Sequence, residues 1–299
     1  MAVAREDLGA EAVPEDVGKS TIRRYIQFFL LLLDMKKRII ILMALLSALP
    51  AGLKAQGTDN ELETDFGARF NVTADKKISK GFHWTADAEA RMEDKFSSIG
   101  RLQVGTGLTY KINDYLKVGA GYVFMENKNS SDEWKIRHRI YGNATLGFRT
   151  GAWRFSLKER LQLTHRDVNN KYQTTPNSLA LKSRFKIAYK ADRDWTPYAY
   201  AELRNVFNDP ACSATWSTSS QAYSDYTFLG YTDTYFNRLR GCLGTEFKIN
   251  KQNALDLFLL LDYNYDKDID TNKEGTKLKS LTYDRKLMTS IGVSYIFSF

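Results

Sequence analysis

Cysteine and proline are scarce in this chain of 299 residues, which contains two Cys and five Pro. Two Cys are too few for a disulfide-stapled scaffold, and five Pro exclude a collagen-like or proline-rich chain. No apolar run reaches the roughly 20 residues that a membrane-spanning helix needs. Charge is nearly balanced as well, since 43 basic and 35 acidic residues give a net charge of +8. Such a mild excess gives no reason to expect a nucleic-acid partner.

The segment 35–55 has the pattern of a signal peptide. Met35 is followed by a basic stretch at Lys36–Arg38 and by an apolar stretch at Ile39–Leu49. Small residues follow, and cleavage after Ala55 is compatible with export. No Cys follows the apolar stretch, so a lipoprotein anchor is not expected. We therefore predict export through a cleaved signal peptide.

The segment 1–34 carries a second short apolar run, Ile26–Leu33. We interpret 1–34 as a mis-annotated or dispensable extension and Met35 as the true start. The alternative is that the whole N-terminal region is one long cleaved leader. In both cases the mature chain, 56–299, begins near Gln56.

The mature chain alternates between apolar and polar residues with a period of two. From Trp134 to Phe148, the even positions are mostly apolar and the odd positions are mostly polar or charged. Successive side chains of a strand point to opposite faces, so this pattern predicts long strands with one apolar face and one polar or charged face. Aromatic residues, at 13%, also favour strands. Similar segments occur at 64–72, 82–92, 99–110, 115–125, 134–148, 153–163, 181–189, 197–207, 235–249, 255–263 and 287–299.

These segments favour an all-β fold, an antiparallel transmembrane β-barrel of 10–12 strands. Most of them are long enough to cross a bilayer at a tilt, which takes roughly 9–11 residues. Short linkers alternate with long polar ones at 126–133, 166–177, 208–233 and 266–278. A soluble β-sandwich also alternates, but it does not need charged residues along one face of nearly every strand. Because single-chain bacterial barrels usually have an even strand number with both ends in the periplasm, we prefer twelve strands.

The C-terminal strand resembles the assembly signal of bacterial outer-membrane barrels. Val293, Tyr295, Phe297 and Phe299 alternate along it, and the chain ends on Phe. The resemblance implies that the barrel-insertion machinery recognises this strand. The location expected from the leader and this strand is the bacterial outer membrane.

The mature chain also resembles a family of small outer-membrane barrels that is described only as a protein of unknown function. The segments that carry this resemblance are Asp65–Val72, Trp84–Arg91, Leu108–Phe124, Arg137–Tyr141 and the terminal strand. The resemblance implies a fold and a location, but no reaction.

A basic lumen is the main candidate site. Rings of Arg and Lys favour anions, so such a lumen could hold or pass a small anionic solute. The alternative is a plugged interior in which opposite charges pair. The predicted lumen residues are Arg91, Arg101, Lys135, Arg137, Arg139, Arg160, Arg184, Arg204, Arg238 and Arg240.

Catalytic candidates are few. His138 and His165 are expected on the outward face near the long-loop rim, where outer-membrane lipid and lipopolysaccharide are the expected partners. The motif of an outer-membrane phospholipase, a His with a Ser two residues later, is absent at His138. Glu159 breaks the alternation of its strand. It is expected to face lipid roughly opposite Gly142, to turn inward at a bulge, or to contact another protomer.

Cys212 and Cys242 form a possible disulfide, because an exported protein meets oxidising conditions. The alternative is two free thiols. We find no ligand set for a metal and expect no cofactor.

The function expected from the sequence is non-enzymatic: a narrow solute channel, or a structural or surface-binding barrel with a basic polar lumen. The alternative is an outer-membrane lipid-modifying enzyme of the phospholipase or lipid A deacylase type, using a histidine at the outer rim. A histidine without a partnered serine cannot activate a nucleophile in the usual way, which favours the non-enzymatic reading.

Overall fold

The computed structural model describes residues 58–129, 131–190 and 192–299. The predicted signal peptide, 35–55, and the extension, 1–34, lie outside these residues. Among the described residues, no helix is both long and apolar enough to cross a membrane.

Strands account for most of the described chain, as the alternation predicts. Eleven of them form a closed barrel, and two form a separate hairpin within one connection. The strands are β1 (Thr58–Ser79), β2 (Phe82–Glu93), β3 (Ser98–Lys111), β4 (Leu116–Lys128), β5 (Trp134–Thr150), β6 (Trp153–Arg166), β7 (Asn177–Tyr189), β8 (Trp195–Asp209), β9 (Cys212–Ser217), β10 (Ala222–Phe228), β11 (Asp233–Lys248), β12 (Asn253–Thr271) and β13 (Leu278–Ser298).

The barrel closes between its first and last strands, β1 and β13. All other neighbours in the wall are antiparallel, whereas β1 and β13 are parallel, with Phe70 opposite Val293. Our preference for twelve strands is therefore wrong, although the all-β barrel itself is confirmed. An odd number of alternating strands forces the first and the last to run in the same direction. The terminal residue contributes to this seam, since the Phe299 N–H donates to the Asp75 carbonyl at 2.9 Å.

The two ends of the barrel differ in their connections. The connections at one end are short turns, at 80–81, 112–115, 151–152, 190–194 and 249–252. The opposite end carries the connections at 94–97, 129–133, 167–176, 210–232 and 272–277, and the last three are longer than any connection at the first end. The last of these is shorter than the predicted loop at 266–278, because β12 continues to Thr271. With an odd strand number, β1 begins at the long-loop end and β13 ends at the short-turn end, so the expectation that both ends of the wall lie on the same side is wrong.

The wall has an apolar outer face and a polar inner face. In β5 the even residues are exposed on the outside, Ile140 at 57% for example, while the odd residues are half-buried and face the lumen. In β13 the predicted outward residues Tyr295, Phe297 and Phe299 are indeed exposed. Aromatic rings pack together near the short turns, with 4.8 Å between the ring centres of Trp153 and Tyr189.

Inward-facing aromatic rings lie against glycines of neighbouring strands. A Cβ added at Gly121 would overlap the Tyr141 ring, and one at Gly244 would come within 2.6 Å of Tyr198. These glycines are required by packing, since any side chain would displace a ring that partly fills the lumen. In contrast, a Cβ added at Gly142 would meet nothing within 4 Å.

We predict that Gly121→Ala destabilises the barrel and that Gly142→Ala does not. The added methyl at Gly121 has to move the Tyr141 ring or the backbone of Thr106, which should lower the free energy of unfolding by about 1–3 kcal/mol. The matched change at Gly142 should be neutral or stabilise by about 0.5–1 kcal/mol. Urea unfolding in detergent, followed by the heat-modifiable gel shift, measures both. Equal stability of the two variants would contradict this packing.

Candidate functional site

A cavity of about 410 Å³ occupies the part of the lumen nearest the long loops. We call it the basic chamber, because eleven basic and four acidic side chains line it. Most of the predicted lumen arginines meet here. The basic residues of the chamber are Arg69, Arg91, Arg101, Arg137, Arg139, Arg166, Lys182, Arg204, Arg238, Arg240 and Lys267.

Basic side chains stand directly opposite one another on neighbouring strands. One row runs across four strands in the order Arg160, Lys182, Arg204 and Arg238. A second row runs across β1, β2 and β3 in the order Arg69, Arg91 and Arg101. Like charges at directly opposed positions destabilise a sheet. The lumen therefore carries a high density of positive charge, and the repulsion within these rows destabilises the sheet.

Two buried carboxylates offset part of this charge. Glu202 is 2.5 Å from Arg184 and 3.2 Å from Arg238. Asp262 is 2.5 Å from Arg69 and also pairs with Arg240. Opposite charges therefore pair on this side of the lumen.

Other arginines of the chamber have no carboxylate of the described residues in ion-pair contact. Within the described chain, no carboxylate lies within ion-pair distance of Arg101, Arg137 or Arg204, and the Nε atoms of these arginines have no hydrogen-bond partner. Arg139 experiences repulsion from Arg204 and from other arginines, and its Nε donates to the Thr164 hydroxyl at 3.0 Å. Guanidinium groups in this arrangement favour an oxyanion, to which they can donate in pairs.

Charged groups stacked on aromatic rings narrow the lumen on the short-turn side of the chamber. The Arg160 guanidinium lies 4.2 Å from the centre of the Tyr141 ring, and Arg184 lies 4.4 Å from that of Tyr200. These two predicted lumen arginines are thus held below the chamber rather than in its lining. Lys135 is also absent from the lining, since it pairs with Glu133 at the rim at 2.9 Å.

The connection 167–176 forms a roof over the chamber. The Asn170 amide donates to the Thr271 hydroxyl at 3.0 Å, and the Gln173 amide donates to the Asp270 carboxylate at 2.8 Å. Gln173 and Thr174 both line the chamber. The chain thus crosses from the end of β6 to the end of β12 before it returns to β7.

Comparison with known proteins identifies a family. The family model described as "Protein of unknown function (DUF2490)" matches residues 66–273. The chain belongs to this family. The resemblance expected from the sequence is therefore confirmed. No curated protein matches the chain.

One solved structure similar to this DUF2490 chain is the anion-selective porin from Comamonas acidovorans. The two chains are 14% identical, with a TM-score of 0.31, and the match covers 73% of this chain. The match covers 55% of the porin, so this chain spans about half the porin's length.

The two cysteines of the DUF2490 chain are free. Cys212, in β9, packs with the buried side chains of Ile269, Leu278 and Leu281, and burial raises the pKa of its thiol. Cys242 belongs to a different cluster in the wall, so the possible disulfide is not formed. Apolar packing, rather than a covalent bridge, holds the β9–β10 hairpin against β12 and β13.

The predicted rim histidines are neighbours on the outer face. His138 stands directly opposite His165, and both are exposed. The Tyr122 hydroxyl lies 2.6 Å from Nδ1 of His138, and the Asn177 amide oxygen lies 2.8 Å from Nδ1 of His165. Neither Nδ1 contacts a Ser or Thr hydroxyl. The described residues also contain no cluster of three or more His, Cys, Asp or Glu suited to a metal ion.

Glu159 faces outward in an unbroken register, so the alternative of an inward bulge is wrong. It stands opposite Ala144, whereas Gly142 is opposite Leu161. The Ser183 hydroxyl donates to Glu159 Oε2 at 2.6 Å. The outward carboxyl is therefore partly satisfied by the wall itself.

Several residues of the chamber were not predicted as site residues. Arg69 stands at an inward position of β1, which its alternation with Phe66, Ala68 and Phe70 signals. Arg166 and Lys267 fall in segments predicted as loops, because β6 and β12 are longer than their apolar patterns.

We predict that Glu202→Gln severely destabilises the barrel. The substitution leaves Arg184, Arg238 and Arg240 facing one another without their shared carboxylate. Breaking a buried ion pair in this way should cost about 3–5 kcal/mol of unfolding free energy. The measurement is urea unfolding in detergent.

The matched control is Glu133→Gln, which breaks the exposed pair with Lys135. This change should cost less than about 1 kcal/mol. If the two variants unfold at the same urea concentration, Glu202 does not hold the arginines together.

Proposed function

We propose that the protein is a non-enzymatic outer-membrane β-barrel whose lumen holds a small anionic solute and gives it a narrow route across the membrane. The observation that carries this proposal is the direct register of like charges, Arg160, Lys182, Arg204 and Arg238. Lys182, Arg204 and Arg238 of this row line the chamber, so an anion bound there would offset the repulsion between them.

The apolar outer face supports the membrane location. Exposed residues such as Ile140, Leu161, Leu243 and Ile291 would meet lipid chains, and closure leaves no strand edge unpaired. The predicted signal peptide and the alternating C-terminal strand fit the same route, through export and the barrel-insertion machinery. Outer-membrane lipid and lipopolysaccharide are then the surroundings of the outer face.

The short-turn mouth supports passage of anions. A cavity of about 790 Å³ opens there, and it is lined by four lysines, Lys77, Lys80, Lys111 and Lys117, and by two aspartates, Asp75 and Asp114. Basic side chains thus outnumber acidic ones at the mouth as well as in the chamber, and a net positive field attracts anions along the lumen.

We predict that translation from Met35 is sufficient for export. A chain that lacks 1–34 should reach the outer membrane, with its N-terminus near Gln56, because 35–55 has all parts of a signal peptide. Membrane fractionation, the heat-modifiable gel shift and N-terminal sequencing measure the outcome. The control lacks 39–49 and should remain in the cytoplasm. A soluble, unprocessed product from Met35 would contradict the proposed location.

We predict anion-selective steps in planar bilayers. Under a KCl gradient, the reversal potential should favour chloride, and Arg137→Gln combined with Arg204→Gln should move it towards zero. The control combines Arg193→Gln and Lys251→Gln, which remove the same charge from exposed turns and should leave selectivity nearly unchanged.

Two outcomes would contradict this proposal in different ways. A cation preference of the unaltered protein would exclude an anion route. A silent bilayer would exclude passage, and binding would then be decided by unfolding temperature at fixed ionic strength. There, sulfate should stabilise the unaltered protein more than the chamber variant, relative to chloride.

A further inference from the structure

We infer that the basic chamber binds a small organic phosphate that bears hydroxyl groups, such as a phosphorylated sugar, in preference to an inorganic anion. This inference rests on the proposed function, because it names the class of solute that the same chamber holds. Two sets of side chains on interleaved strands carry it. Arginines without an ion-pair partner in the described chain form what we call the cationic surface, and amides with an unpaired oxygen form what we call the acceptor surface.

The cationic surface suits a dianionic group. Arg101, Arg137 and Arg204 have no carboxylate partner in the described chain, and repulsion from Arg91, Arg137 and Arg204 converges on Arg139. A monovalent anion offsets less of this charge than a phosphate does. Phosphate oxygens also match the paired N–H donors of guanidinium groups.

The acceptor surface includes Asn237. Its Nδ2 donates to the Asp266 carboxylate at 2.8 Å, which fixes the orientation of the amide. Its Oδ1 is buried and receives no hydrogen bond from the described residues. A buried acceptor without a donor is costly, so this atom favours a ligand that can donate.

Gln162 provides a second acceptor of the same kind. It is 1% exposed, lines the chamber, and its Oε1 receives no hydrogen bond from the described residues. Thr164 and Ser178, directly opposite each other, line the chamber as well. Sulfate and fully ionised phosphate offer only acceptors, so they cannot satisfy Gln162 and Asn237. Hydroxyl groups can.

The size of the chamber agrees with this class. Its volume of about 410 Å³ lies in the range of about 300–1,000 Å³ that is typical of sites for small organic ligands. A bare inorganic anion is nearer in size to a water molecule, whose share of liquid volume is about 30 Å³. Gln162 on β6 and Asn237 on β11 are separated by β7 and β8, and neighbouring strands lie about 4.8 Å apart, so an ion of this size is too small to contact both amides.

Titration calorimetry of the full processed chain in detergent tests the inference. The probes are glucose 6-phosphate, inorganic phosphate and glucose, compared at equal ionic strength. We expect glucose 6-phosphate to bind about tenfold or more tightly than inorganic phosphate, and glucose to show no measurable binding.

Variants locate the two surfaces. Gln162→Met and Asn237→Leu should each weaken glucose 6-phosphate binding by about three- to tenfold, the cost of a lost hydrogen bond. Gln162→Met should leave inorganic phosphate binding unchanged, whereas Asn237→Leu also removes the hydrogen bond to Asp266. Arg204→Gln should weaken both phosphates. The matched control is Gln103→Met, which changes an inward-facing glutamine that does not line the chamber. The heat-modifiable gel shift confirms that each variant is folded.

The outcomes separate this inference from the proposed function. Equal affinity for glucose 6-phosphate and inorganic phosphate would overturn the inference but would still agree with an anion-binding lumen. Binding of glucose alone with comparable affinity would also overturn the inference. Unchanged glucose 6-phosphate affinity in both Gln162→Met and Asn237→Leu would also overturn it. Absence of binding by either phosphate, together with a bilayer that shows no anion preference, would overturn the proposed function itself.

Discussion

Repulsion between basic side chains in direct register is the constraint on which the interior of this barrel depends. Arg160, Lys182, Arg204 and Arg238 follow one another across four strands, and the hydrogen-bonded wall does not allow them to move apart. The surrounding structure offsets the repulsion in two ways. Glu202 and Asp262 form ion pairs with arginines on one side of the lumen, and guanidinium groups nearer the short turns stack on aromatic rings. Other arginines of the chamber have like charges beside them and, among the described residues, no carboxylate in ion-pair contact. A local arrangement that is unfavourable for folding is typical of a functional site.

Closure by an odd number of strands has a separate physical consequence. Each antiparallel pair joins two wall strands that follow one another along the chain, whereas the β1–β13 seam joins residues more than two hundred positions apart. Alternation shows which side chains face the lumen, but it contains no information about how many strands close the circle. The sequence therefore predicts the faces of β1 and β13 correctly, while a rule about even strand numbers gives the wrong count. The parallel seam follows from topology and has no local signal.

The candidate site is predictable where strands are regular and unpredictable where they are not. Arg101, Arg137 and Arg204 stand on unbroken period-two patterns, so their inward direction follows from sequence. Asn237 is an extra residue between Phe236 and Arg238 that interrupts the register of β11 with β8, and no periodic pattern identifies it. Gln173 lies in a loop, where side-chain direction depends on contacts with Asp270 and Thr271 that are distant in sequence. The sequence thus predicts the charged surface of the chamber, whereas its roof and one of its acceptors depend on tertiary structure.

The chamber is closed at both ends by contacts between residues that are distant in sequence. The roof is attached through side-chain hydrogen bonds of Asn170 and Gln173, and a typical hydrogen bond contributes about 0.5–1.5 kcal/mol net. The floor is the narrow part of the lumen on the short-turn side of the chamber. It combines cation–π contacts with the Tyr198 hydroxyl, which donates to both oxygens of Asp256 at 2.9 and 3.0 Å. Tyr198 also lies against Gly244, so its ring has no free space on that side. The roof also contains a packed ring, since the centre of the Tyr172 ring lies 5.2 Å from that of Phe228, and a Cβ added at Gly275 would overlap the Tyr172 ring. Both closures therefore combine polar contacts with packed aromatic rings.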